Sequence, residues 1–312
     1  MCIRDSLPTR EQFFSLGSQC LIQAFEMIFK VYSDFKDITE LNEVIDEEIT
    51  EEKIWVYNHI TVRSALILLY QGVEYLMKGR VTGESVFLLL EQPKTDWPSL
   101  PKRKSRKFDE MQTISGGNLL SVFCTVDNEI SDIYEFVERF KKLRVNRNKL
   151  VHGAGRNDKG HDYIIKEIMF YHNNFFSKGE WVNEFREFVS SEPTFGYWDY
   201  DAEEAMFYKK LNFIERTIGK KALNNYLEIN TLARRYFCPS CTYHLNGNID
   251  REDMPKWAFL KPNKPNSKNL LCITCSQEFQ VGREDCHKPN CCLLYTSPSP
   301  RDATLSRMPS SA

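Results

Sequence analysis

Apolar residues recur at three- and four-residue spacing along most of the chain, and that period predicts helices. Over residues 11–35 the positions Phe14, Leu21, Ala24, Phe25, Ile28 and Phe29 share one side of such a helix. Thr50, followed by Glu51 and Glu52, reads as an N-cap with acidic residues at the positive end of a helix dipole. From there a pattern through Ile54, Tyr57, Ala65, Leu68, Leu69, Val73 and Leu76 predicts one long helix to about Arg80. It is apolar on more than one side near residues 65–70, as a helix central to a bundle would be. Residues 91–118, with Pro93, Pro98, Pro101, Gly116 and Gly117, predict a long loop. Helical pattern returns near Asn118, and again over about 129–152, 163–176 and 202–218. No useful strand alternation precedes Tyr236, so the body is expected to be all-α.

Composition changes this picture little. Of 312 residues, 27% are charged and 42% hydrophobic, which excludes wholesale disorder. The longest apolar runs, over 65–70 and 86–90, fall far short of the roughly 20 residues a spanning helix needs, so a soluble protein with no membrane partner is expected. The formal net charge of -2 argues against a globally basic nucleic-acid coat, though not against a local patch. Lys102-Arg103-Lys104-Ser105-Arg106-Lys107 is one such patch, either a solvated loop or a contact to an RNA backbone.

Both ends carry foreign-looking sequence. Met1-Cys2-Ile3-Arg4-Asp5-Ser6 resembles a translated sequencing adapter, and Cys292-Leu293-Leu294-Tyr295-Thr296-Ser297-Pro298-Ser299-Pro300-Arg301-Asp302 resembles its reverse strand, with a flow-cell-like end following. Residues 1–6 and 292–312 are therefore expected to pack nowhere specific, and Met1 is not expected to be a biological start. Between them, a helical domain over 7–235 and a small cysteine-rich domain over 236–291 are expected, the boundary lying where helical periodicity gives way to Cys and Pro.

Cys238-Pro-Ser-Cys241 and Cys272-Ile-Thr-Cys275 are two C-x-x-C pairs separated by thirty residues. Each such turn lets two thiolates converge on one ion, and two turns complete a tetrahedral site, so a structural Zn²⁺ bound by Cys238, Cys241, Cys272 and Cys275 in a zinc-ribbon-like fold is expected. Tyr236, Phe237 and Phe279 suit a mini-core too small to stand without metal. Disulfides and a redox pair are the alternatives. Cys20 and Cys124, single cysteines in helical segments, fit reduced thiols and a cytoplasmic location. Cys286, His287 and Cys291 could ligate a further ion.

The most informative stretch is Leu143-Arg144-Val145-Asn146-Arg147-Asn148-Lys149-Leu150-Val151-His152-Gly153. On a helical wheel Phe136, Phe140, Leu143 and Leu150 form an apolar face with Arg147 near its middle, where a charge is costly unless paired. His152 closes the last turn, and Gly153 is placed to stop it in the left-handed conformation. A structural arginine paired with a carboxylate, beside a histidine that complements the helix dipole, would explain both residues without chemistry.

Arg147-Asn148-x-x-x-His152 resembles the R-x4-6-H motif of the HEPN superfamily (higher eukaryotes and prokaryotes nucleotide-binding), including the polar residue after the arginine. The helix from Thr61 to Met77 is similar to HEPN helices that pack against the motif helix, and the resemblance spans roughly residues 51–176. It implies an HEPN-like helical bundle and a metal-independent ribonuclease, acting as a homodimer with the motifs at the interface. Under it, His152 would move the proton of the ribose 2′-hydroxyl or of the leaving group, Arg147 would bind the scissile phosphate, and Asn148 would orient one of them. A toxin or antiviral effector is the expected setting. Two other functions remain open: a non-catalytic HEPN scaffold or nucleotide/RNA-binding module, and a zinc-dependent transcriptional regulator. The last is weakened by the lack of a recognisable helix-turn-helix. No Gly-rich phosphate loop or H-E-x-x-H string points to another enzyme class.

Overall fold

The computed structural model describes residues 7–41, 50–91, 108, 111–153, 159–191, 200–245, 256–283 and 294–296. It is mostly helical, with a small C-terminal sheet. The chain divides into two compact units, Met1–Ser177 and Lys178–Ala312. The composition change near Arg235 therefore falls inside the second unit, among helices and strands that pack together.

In the first unit, α1 (Arg10–Leu41) lies along α3 (His59–Glu84). The apolar side of α1 expected from spacing is the buried one: Leu21, Ala24, Phe25 and Ile28 are fully enclosed. The two backbones come close where glycines face each other. A Cβ on Gly17 would sit 2.6 Å from Leu76 Cγ, and one on Gly72 would sit 3.0 Å from the Gly17 carbonyl.

The expected single helix from Thr50 is broken. Thr50 does cap α2 (Glu51–Tyr57), its hydroxyl accepting from the Lys53 amide at 3.4 Å. At Asn58, however, the amide and the side-chain Nδ2 both donate to the Ile54 carbonyl, at 2.9 and 3.0 Å. An asparagine bonding its own preceding turn competes with helix continuation, so α3 starts afresh at His59.

Past a short 3-10 turn at Val86–Leu89, the described ends of the expected loop meet, with Leu90 bridging Thr113. Next come α4 (Gly116–Val126), α5 (Ile133–His152) and α6 (His161–Phe175). Phe123, Phe136, Phe170, Tyr171 and Phe175 meet edge to face or tilted around a common core, and Tyr70 stacks on Phe140 at 5.6 Å. Arg80 is buried with Asp127 at 3.6 Å and pairs with Glu129, so this cation is compensated inside.

The second unit holds α7 (Glu180–Ser190), α8 (Tyr200–Ile218), α9 (Lys220–Asn225), α10 (Pro239–Leu245) and an antiparallel sheet. Sequence reading missed α7, although Trp181, Val182 and Phe185 supply its buried face. It also missed α10, which Pro239 opens at the first helical position, a place where a missing N–H costs nothing. The sheet order is β1 (Ala258–Lys261), β2 (Asn269–Cys272), β3 (Glu278–Arg283), β4 (Leu294–Thr296), with Ala258 opposite Cys272 and Leu270 opposite Phe279. Helices and sheet are joined through Arg235, which forks onto Glu215 at 2.6 and 2.7 Å and stacks over Trp257 at 4.2 Å. Trp257 in turn donates to Asn212 at 2.9 Å.

One expectation about the ends is corrected. Leu294–Thr296, inside the adapter-like tail, pairs with Val281–Arg283. An exposed strand edge offers main-chain donors and acceptors to any extended segment, so this pairing needs no selected side chain. The remainder of 292–312, and residues 1–6, lie outside the described residues. Among the described residues, no helix is long and apolar enough to cross a membrane.

Candidate functional site

Helix α5 begins at Asp132, whose carboxylate accepts from the Glu135 amide at 2.9 Å, and it buries the four residues expected of it: Phe136, Phe140, Leu143 and Leu150. Arg147 lies on that stripe between Leu143 and Leu150, half-buried. Its guanidinium stands over the Tyr70 ring at 5.3 Å from the centroid. Nη1 donates to Asn148 Oδ1 at 3.1 Å, while the buried Nε has no hydrogen-bond partner. Among the described residues no carboxylate lies within ion-pair distance of it. An unfilled buried donor of this kind costs about 1–3 kcal/mol, more for a charged group, and the stack on Tyr70 returns only part of that.

The floor beneath Arg147 comes from α3. Tyr70 donates its phenol to Glu74 Oε1 at 2.8 Å, and the same oxygen accepts the Gly116 amide at 2.8 Å. Burial and the neighbouring Glu74 push the Tyr70 phenol well above its ordinary value, so it remains a donor. Arg63, also on α3, donates from Nη2 to the Leu150 carbonyl at 2.9 Å and so satisfies an orphan carbonyl of the last turn of α5. Neither Tyr70 nor Arg63 was singled out from sequence, because both contacts join residues about twenty turns apart along the chain.

His152 is exposed at the end of α5. Gly153 closes the helix through its amide, which donates to the Lys149 carbonyl at 3.0 Å, but at φ -115 and ψ 145 it is extended rather than left-handed. The chain simply leaves the helix in a β conformation open to any residue. No hydrogen bond joins Arg147 to His152 among the described residues; five positions apart, they project roughly 140° from each other around the axis. The basic run at 102–107 lies outside the described residues.

The cysteine pairs converge. Cys238, Cys241, Cys272 and Cys275 bring their Sγ atoms within 4.8 Å of one another. Cys238 immediately precedes α10 and Cys241 sits in its first turn, with the Cys241 amide directed at Cys238 Sγ at 3.5 Å. Cys272 ends β2, and Cys275 lies in the turn to β3, followed by Ser276 at φ 58. The Cys238–Cys275 and Cys241–Cys272 sulfur distances are 3.5 and 3.8 Å. A tetrahedron with metal–sulfur arms of about 2.3 Å has edges of about 3.8 Å, so the spacing is compatible with zinc. The four thiols share hydrogen bonds, which hold Cys272 and Cys275 below the usual thiol range and Cys238 and Cys241 above it. None of the described cysteines forms a disulfide. Cys286, His287 and Cys291 lie outside the described residues.

Arg186 of α7 clamps the second of these turns. Its guanidinium donates to the Thr274 carbonyl at 3.2 Å, to the Ile273 carbonyl at 2.5 Å and to the Ser276 hydroxyl, and it packs over Phe207 at 5.2 Å. The arginine fixes the main chain between Cys272 and Cys275, so α7 orients two of the four sulfurs. Compared with family models, with curated proteins and with solved structures, the chain matches none, and both sites rest on their own geometry.

Proposed function

We propose that this chain is a HEPN-type endoribonuclease that cuts RNA without metal through Arg147 and His152, and that Cys238, Cys241, Cys272 and Cys275 hold a structural zinc ion. The observation that carries the first part is Arg147: a guanidinium on an apolar helix face, held over Tyr70 and oriented by Asn148, with a buried Nε left unfilled and no carboxylate beside it. A structural arginine would be expected to have found its acid. A phosphate oxygen supplies the missing acceptor, and a planar fork suits it.

In this mechanism Arg147 binds the scissile phosphate and stabilises the charge that develops on it. Asn148 holds the guanidinium plane through Oδ1. His152, exposed at the end of α5, takes the proton of the attacking 2′-hydroxyl or gives one to the leaving oxygen. Because the two side chains diverge around α5, the productive pair combines Arg147 of one protomer with His152 of another across a homodimer interface. Unpaired Cys20 and Cys124 fit a reducing, cytoplasmic setting for a defence effector or toxin of this kind.

The test is cleavage of labelled RNA in EDTA by the wild type, Arg147→Ala and His152→Ala, each checked for folding by circular dichroism. Loss of cleavage in both variants with EDTA inert is the expected result. Cleavage that survives His152→Ala overturns the mechanism. A wild type that binds RNA without cutting it favours the non-catalytic scaffold, a reading that the separation of Arg147 and His152 within one protomer also suits.

A further inference from the structure

Four other arginines of this chain that pack on aromatic rings are paired with acids, Arg10 among them with Glu129, while Arg186 over Phe207 binds main-chain carbonyls and Arg234 lies over Tyr236. Arg80 meets Asp127 and Glu129, Arg139 meets Glu135 and Glu167, and Arg235 meets Glu215. Arg144 and Arg147 depart from this pattern together. They are one turn apart on α5, about 4.5 Å along the axis, and among the described residues no carboxylate lies within ion-pair distance of either. The nearby acid, Glu74, already spends Oε1 on the Tyr70 phenol and the Gly116 amide. Both guanidinium groups act on the Tyr70 phenol, opposing the effect of its burial. Two like charges at this spacing repel each other, and an anion between them relieves that repulsion.

Arg144 also lies close to main chain. Its guanidinium lies against the Gly116–Gly117 backbone at the start of α4, where a Cβ on Gly117 would come 2.7 Å from Nη1 and one on Gly116 would come 3.0 Å from Nε. Gly116 sits at φ 55, a backbone conformation that favours glycine. The side chain is nonetheless exposed to solvent along its open side.

We infer that Arg144 and Arg147 together form a subsite for consecutive phosphates of one RNA strand laid along the last three turns of α5, Arg144 taking the phosphate next to the scissile one. Arg144 and Arg147 follow one another over about 4.5 Å of helix, and their long side chains can meet adjacent phosphates of one strand. This rests on α5 being the RNA-facing helix, but not on cleavage.

The experiment measures binding of a short fluorescein-labelled 2′-O-methyl RNA, which lacks the hydroxyl needed for self-cleavage, to the full chain by anisotropy across a salt series. Arg144→Ala is expected to weaken binding about tenfold and to reduce the slope of log K against log salt by about 0.7, the share of one phosphate contact on a single strand. Arg144→Lys keeps the slope and loses several-fold in affinity, which separates a charge contact from misfolding. Lys141→Ala, an exposed α5 lysine already paired with Glu138, leaves the slope within error of the wild type. Inorganic phosphate at matched phosphate concentration fails to displace the RNA. Wild-type affinity and slope in Arg144→Ala overturn the subsite, as does a wild type that does not bind the RNA, or displacement by phosphate alone. A reduced slope in Arg144→Ala, together with no cleavage of unmodified RNA by the wild type, upholds the subsite and removes the ribonuclease.

Discussion

Gly17→Ala isolates the closest backbone approach in the first unit. Gly17 is buried in α1, and an added Cβ would lie 2.6 and 2.7 Å from Leu76 Cγ and Cδ2 and 3.1 Å from the Gly72 carbonyl. Leu76 is fully enclosed, so it has no free volume to move into, and the carbonyl belongs to the middle of α3. Alanine in a helix interior is worth about 1 kcal/mol over glycine, whereas overpacking of a filled core costs about 1–3 kcal/mol. A clash under 3 Å with an immobile side chain belongs at the upper end, so the net change is destabilisation of about 1–2 kcal/mol. Gly83→Ala is the control: exposed near the end of α3, its nearest neighbours are Arg10 Cδ and Nη1 at 3.5 Å, ordinary contact with a flexible side chain. There the propensity gain survives, at about 0.5 kcal/mol stabilising. Thermal unfolding followed by far-ultraviolet circular dichroism should separate the two variants by about 4–10 °C, with the wild type between them. If Gly17→Ala proves as stable as Gly83→Ala, then α1 and α3 do not approach as closely as described, and the placement of Tyr70 and Glu74 beneath α5 must be revised with them.

Four further outcomes are expected. Purified chain should carry one zinc per molecule, and chelation should abolish amide-exchange protection of β1–β3 while leaving α1 and α3 protected; full retention of sheet protection without metal refutes this. Tyr70→Phe should cost about 1–2 kcal/mol, since it strands a buried Glu74 oxygen with only the Gly116 amide; denaturation curves superimposable on the wild type contradict it. Arg235→Lys should destabilise the second unit by about 1–2 kcal/mol, because a lysine cannot fork onto Glu215 and stack over Trp257 at once, measured as an earlier loss of indole fluorescence from its buried state. The Glu129 carboxyl is held below its ordinary value chiefly by its hydrogen bond from Arg80, so its contribution is present above the usual carboxylate range and lost as pH falls through the lowered value; Glu129→Gln should flatten the acid limb of a Tm–pH profile, and an unchanged limb counts against the pairing.

What the sequence determined by itself is local or periodic. The buried face of α5 follows from apolar spacing, because Phe136, Phe140, Leu143 and Leu150 have no other way to leave water together. The Thr50 cap follows from a hydroxyl placed ahead of free amides. The four-cysteine cluster follows from two short turns, since the intervening thirty residues need only return the chain to the same place. Tertiary structure decided everything that depends on which surfaces meet. The break at Asn58 turned on one side chain competing for the Ile54 carbonyl, a contest that hydrophobic spacing does not register. The clamp of Arg186 on the Cys272–Cys275 turn joins positions some ninety residues apart, and no pattern along the chain links them. The same holds for the company Arg147 keeps. Its place on an apolar stripe could be read from the wheel, but whether a carboxylate waited opposite it depended on how α3 packs. The packing supplied the ring of Tyr70, with Glu74 already engaged by the phenol and the Gly116 amide, and left the guanidinium without an acid of its own.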